Sequence, residues 1–122
     1  MALTFLLDEH LRGPLWQAIL QHNLRGGERL DVVRVGDPPD LPLAVDDPAI
    51  LLWAERESRI LVTEDRHTMA HHLHDHLAAG NHSPGVLMTR TGQPIRTVIE
   101  CLVLIAQAGE PAEFVDAITY LP

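Results

Sequence analysis

Three acidic positions that lie far apart in the chain share one structural situation. Leu3-Thr4-Phe5-Leu6-Leu7 runs into Asp8-Glu9, Arg59-Ile60-Leu61-Val62-Thr63 runs into Glu64-Asp65, and Asp46-Asp47 opens the segment Pro48 to Glu57. Continuous apolar runs of this length, bounded by polar residues, are how strands covered on both faces of a parallel sheet read in sequence. Ligands of open α/β sheets bind outside the carboxyl ends of the strands. Acids at two strand exits and one helix entry therefore converge on one edge. Left alone there, Asp8, Asp47 and Asp65 would repel one another and raise each other's proton affinity. A magnesium or manganese ion resolves that conflict, keeps several waters, and can present one of them to a phosphoryl centre.

Each acid also has a plainer reading. Asp47 before Pro48 suits an N-cap or first helical position, and Asp8 and Asp65 suit caps in their own loops. Glu9, Glu64 and Asp46 read as solvated neighbours or as ligands acting through water. Coincidence of location, rather than any one residue, favours a site.

The elements that must position these acids alternate between strand and helix. Pro14 to His22 has helical spacing with Leu15 and Ile19 on its buried stripe and Pro in its first turn, and Gly26-Gly27 ends the segment. Leu30 to Val35 is rich in β-branched residues and reads as the second strand. Gly36 to Asp46 carries Pro38, Pro39 and Pro42, which predicts a long loop of functional or mobile character. Pro48 to Glu57 predicts a helix with Ile50, Leu51, Trp53 and Ala54 on its apolar face. After the third strand come a helix over Arg66 to Ala79, a strand over Gly85 to Thr89, a long apolar helix over Pro94 to Ala108, and a closing segment in which Ala117 to Tyr120 is strand-like. The expected fold is a three-layer α/β/α domain spanning 1–122, with a mostly parallel sheet of four to five strands and right-handed crossovers.

At 122 residues, 46% hydrophobic and 21% charged, the chain is suited to a single globular domain. No apolar run approaches the roughly 18–20 residues that span a bilayer, so no membrane partner is expected. The start Met1-Ala2-Leu3-Thr4 carries no basic stretch, which leads to the expectation of a cytoplasmic protein. Cys101 lies in an apolar run and reads as a buried small hydrophobe. The formal charge of −8 argues against nonspecific attachment to nucleic acid, so RNA binding would rely on bound metal and local arginines. All nine basic residues are Arg. The absence of Lys also argues against a receiver-like signalling domain, which would need one at the end of its fifth strand.

Taken together, Leu6-Leu7-Asp8-Glu9-His10-Leu11, Asp46-Asp47-Pro48-Ala49-Ile50-Leu51-Leu52-Trp53-Ala54 and Arg59-Ile60-Leu61-Val62-Thr63-Glu64-Asp65 resemble the small PIN-like proteins of the PIN ribonuclease superfamily, and are similar to the VapC-type toxin nucleases. The resemblance covers nearly the whole chain. It implies an acidic quartet that binds Mg2+ or Mn2+ for RNA phosphodiester hydrolysis, with Asp8, Asp47 and Asp65 as three of its members and Thr63 in support. It also implies an RNA substrate and a cognate antitoxin or other protein partner. The chain departs from the pattern at the fourth acid, where Asp65-Arg66-His67-Thr68-Met69 puts His67 in its place. His67 is a candidate ligand there, Glu9 a supporting residue, and Arg66 and Arg90 candidate phosphate contacts. The alternative function is a catalytically weakened PIN-like interaction module.

Six of the eight histidines fall between His67 and His82. The pairs His67/His71 and His72/His76, each four apart, would share a helix face and could chelate zinc, nickel or copper. A polar, titratable helix face is the reading favoured for them. The apolar stretch Val98 to Ala106 suits either the core or half of a homodimer interface.

Overall fold

The computed structural model describes residues 2–11 and 13–122. Five strands form one sheet: β1 (Phe5–Leu7), β2 (Val32–Arg34), β3 (Ile60–Thr63), β4 (Val86–Met88) and β5 (Ile118–Tyr120). The helices are α1 (Pro14–Leu24), α2 (Asp47–Glu57), α3 (Met69–Ala78), α4 (Ile95–Ala108) and the short α5 (Pro111–Phe114). The strand order is β2-β1-β3-β4-β5, and every pair is parallel. The alternation read from the sequence is therefore the fold.

Every residue of β1, β3 and β4 is buried, whereas the edge strands β2 and β5 are only partly so. The pleat sends alternate side chains to opposite faces, and the central strands have helices over both faces and a strand on either side, which the edge strands lack. Phe5, Leu7, Ile60, Val62 and Leu87 pack on Leu15 and Ile19 of α1 and on Val98, Leu102 and Ala106 of α4. Leu6, Leu61, Val86 and Met88 pack on Ile50, Leu51 and Ala54 of α2 and on Met69 and Leu73 of α3. Each such side chain contributes about 1.5–3 kcal/mol on burial. An exposed ion pair such as Arg96–Glu100 contributes about 0–1 kcal/mol, so the two apolar layers, not surface charge, hold the domain together.

Three details differ from the sequence reading. The chain moves across the sheet in one direction from β1 to β2 and in the other from β2 to β3, β3 to β4 and β4 to β5. Helix α4 nevertheless shares the α1 face. The last crossover is therefore opposite in hand to the other three, against the expectation of a uniform right-handed set. The physical reason is coverage, because α2 and α3 already occupy one face and α1 alone leaves the other open. Helix α3 also starts at Met69 rather than Arg66, since Asp65 engages the two residues that follow Arg66 in a turn. Finally, α5 is an extra turn closed by reciprocal capping between Glu110 and Glu113.

Gly85, which leads into β4, has φ +132°, and a Cβ there would lie 2.6 Å from the Phe114 carbonyl oxygen. Only glycine combines that φ with so close a backbone approach. Gly85→Ala is expected to destabilise the protein by about 2–4 kcal/mol in urea unfolding.

Candidate active site

In the register of β1 with β3, Leu7 lies opposite Val62, so the residues that leave the two strands, Asp8 and Thr63, meet at the carboxyl edge. The strand order makes this the switch point of the sheet, because the chain goes from β1 to one side and returns to β3 on the other. The Asp8 N–H donates to the Val62 carbonyl at 2.9 Å, which carries the ladder one residue further. Asp8 as a residue is 5% exposed. Its Oδ2 accepts from Thr63 Oγ1 at 2.7 Å and Oδ1 from the Glu9 N–H at 2.7 Å. A buried carboxylate needs such donors to remain charged. The second lone pair of each oxygen is not used by these bonds.

Asp47 arrives from α2. The helix is capped by Asp46, whose side chain accepts from the Ala49 N–H at 3.0 Å. The capping role that the sequence allowed for Asp47 therefore falls to its neighbour, and Asp47 sits in the first turn with its carboxylate turned to the edge. Burial first, then the charge of Asp8, and further the charges of Asp65 and Asp46, raise its proton affinity above the ordinary carboxylate range, while His72 offsets part of this. Burial and neighbouring negative charge both disfavour the charged form of a carboxyl, and His72 compensates only in part.

Asp65 behaves differently. Its Oδ1 accepts from the N–H groups of His67 and Thr68 at 3.2 and 3.1 Å, and its Oδ2 from the Thr68 hydroxyl. These bonds, that of the Thr68 hydroxyl foremost, hold its carboxyl below the usual value. Asp65 thus organises the turn into α3 while lying close enough to Asp47 for the two charges to interact. Thr63 serves both acids, since its hydroxyl donates to Asp8 and accepts from the Asp65 N–H at 3.2 Å.

The histidine that faces Asp47 is His72, with Nε2 3.6 Å from Asp47 Oδ2. His67, favoured at the sequence level, is exposed and lies beside Asp65, lending it a charge when protonated. His72 could have been found from topology. Helix α3 starts at the carboxyl edge and packs on α2, so a first-turn residue of α3 reaches the start of α2. The other histidines scatter. His71 pairs with Asp75 on the surface, whereas His76 is buried with Nε2 2.8 Å from Glu55 Oε1 and 2.7 Å from the His82 carbonyl. Neither four-apart pair shares a ligand.

Glu9 takes a structural part. Its Oε1 accepts from the Ala44 N–H at 2.5 Å, at a residue held at φ 65°. The loop predicted over Gly36 to Asp46 is thereby strapped across the edge, and Asp40 ties it to α2 through Trp53 Nε1 at 3.0 Å. Arg66 and Arg90 are exposed at the same edge, and among the described residues neither side chain forms an ion pair.

Among the described residues, no three His, Cys, Asp or Glu side chains stand close enough to hold a metal ion as they are. The donor chemistry of Asp8 and Asp47 still fits magnesium, which is held by one or two carboxylates plus waters and substrate phosphate. No protein-family model, curated protein or solved structure matches the chain.

Because its pKa is raised in the folded state, Asp47 lowers stability as pH rises from the ordinary carboxylate value through the elevated one. Asp47→Asn is therefore expected to raise the thermal midpoint by about 2–4 °C at pH 7. Below pH ~3, where Asp47 is protonated in the folded and the unfolded state alike, the difference should vanish. A scan of thermal melts against pH checks both parts.

Proposed function

We propose that this chain is a divalent-metal-dependent endoribonuclease of PIN-like type, whose metal is held by Asp8 and Asp47 at the junction of β1 and β3. The observation that carries the reading is the Asp8 carboxylate, bonded to Thr63 across two adjacent strands and close enough to Asp47 for the charges to interact, with the proton affinity of Asp47 raised first by burial and then by Asp8. A half-buried acid kept among other acids at a sheet edge fits a site selected for something other than stability.

In this reading Thr63 orients Asp8, His72 steadies Asp47, and Asp65 shapes the turn that brings Arg66 and His67 to the edge. Arg66 and Arg90 bind RNA phosphates and supply the positive charge that the chain lacks overall. When bound, a divalent cation supplies a water of lowered pKa and stabilises charge on the phosphoryl oxygen. The resemblance to VapC-type toxins extends the proposal to a toxin-like role with a cognate protein partner.

A second reading has its own support. Both oxygens of Asp65 are engaged within its own turn, and His67 stands where the fourth acid would be. On that reading the chain is a PIN-like interaction module without nuclease activity.

Calorimetric titration with Mn2+ separates the two. Asp8→Asn and Asp47→Asn are expected to abolish binding, and Thr63→Val to weaken it by about 10–100-fold through loss of orientation. RNA cleavage should fall in the same order. Wild-type protein that binds no Mn2+, or Asp variants that bind as well as wild type, would exclude the nuclease and leave the interaction module.

A further inference from the structure

On the α1 and α4 side of the same edge lies a cavity of about 280 Å3. That is near the small end of the ligand-pocket range, roughly 300–1,000 Å3, and suits a single nucleobase. Its apolar walls include Leu11 from the turn after β1 and Ile95 and Val98 from the first turns of α4. Its polar lining includes Glu64 and Arg90, which follow β3 and β4. Gln93 also borders it, but its amide is already used: Oε1 accepts from the Arg90 N–H at 3.0 Å and Nε2 donates to the Pro122 carbonyl at 2.5 Å.

Glu64 is half-buried and Arg90 exposed. They line one cavity without pairing with each other, and among the described residues neither side chain has a hydrogen-bond or ionic partner. A ligand that satisfies both has a flat body for the aliphatic walls, adjacent N–H donors for the carboxylate and a negative charge for the guanidinium. Guanine is the one RNA base with two adjacent donors, N1–H and the exocyclic amine, and a carboxylate accepts from both at once. Adenine, cytosine and uracil set an acceptor beside each donor on the corresponding edge. Glu64 stands between Thr63, which holds Asp8, and Asp65, so a base in this cavity would put its phosphate beside the carboxylates.

We propose that the cavity binds a guanine nucleotide of the RNA next to the cleaved phosphate, with Glu64 reading the base and Arg90 holding the phosphate. This rests on the nuclease reading above.

The test is an NMR titration of 15N-labelled protein with 3′-GMP, 3′-AMP, 3′-CMP and 3′-UMP, and with guanosine for comparison, following the Thr89 and Gly92 amides. 3′-GMP is expected to bind roughly tenfold or more tightly than the others, the selectivity of one bidentate base contact. Glu64→Gln should erase that preference, and Arg90→Gln should reduce 3′-GMP to the affinity of guanosine. Equal affinity for all four nucleotides, or no shift at Thr89 and Gly92 with any, overturns the proposal. Asp47→Asn keeps the two readings apart, because it should lose Mn2+ and retain 3′-GMP. Mn2+ binding without 3′-GMP binding would reject the base pocket alone, and the reverse would reject the nuclease and leave a guanine-nucleotide pocket without cleavage.

Discussion

The parallel pairing of β1 with β3 is the constraint on which the rest of the molecule turns. It sets Leu7 against Val62, and with that register the next residue of each strand has no choice of neighbour. Asp8 and Thr63 meet where the sheet ends. Both strands are buried on both faces, so the Asp8 carboxylate is carried into a region where solvent cannot stabilise it. The Thr63 hydroxyl and the Glu9 amide do so instead. A slip of β1 by one residue would send Leu6 to the opposite core, away from Leu61, and separate Asp8 from Thr63.

Around that junction the neighbouring acids divide the work. Asp46 caps α2 and Asp65 organises the entry to α3, both with ordinary local hydrogen bonds. Asp47 has neither task. Burial first, and then the charges of Asp8 and Asp65, disfavour its charged form, and it lies within reach of His72. Stability is given up at this one place, whereas the adjacent carboxylates are placed as a helical protein would place them anyway. That contrast sets Asp47 apart from the acids that cap and turn the chain beside it.

The long loop between β2 and α2 contributes to the same edge. Leu41 is buried, Asp40 joins it to Trp53 and Arg56 of α2, and Glu9 holds Ala44 in a left-handed conformation. Three attachments tie this loop down as a rim of the edge. The rim and the start of α3 border the carboxylates on one side of the sheet, while the Glu64 and Arg90 cavity borders them on the other.

The order of elements, the two-faced burial of β1, β3 and β4, and the placing of Asp8, Asp47 and Asp65 at one edge were legible in the sequence. Apolar runs and helical periodicity are local consequences of what each segment buries, and parallel connectivity then dictates which ends share an edge. Local pattern could not choose between Asp46 and Asp47 as the cap, since both precede the same proline and only backbone geometry distinguishes them. Nor could it choose His72 over His67, because that depends on which side of α3 packs against α2. The face taken by α4 and the cavity beside Glu64 were likewise decided by which surfaces remained uncovered once the other helices had packed. The sequence by itself determined which groups lie at the carboxyl edge, because hydrophobic periodicity and chain direction are written along the chain. Only the tertiary structure decided how those groups face one another, because side-chain direction is set by packing between segments distant in the chain.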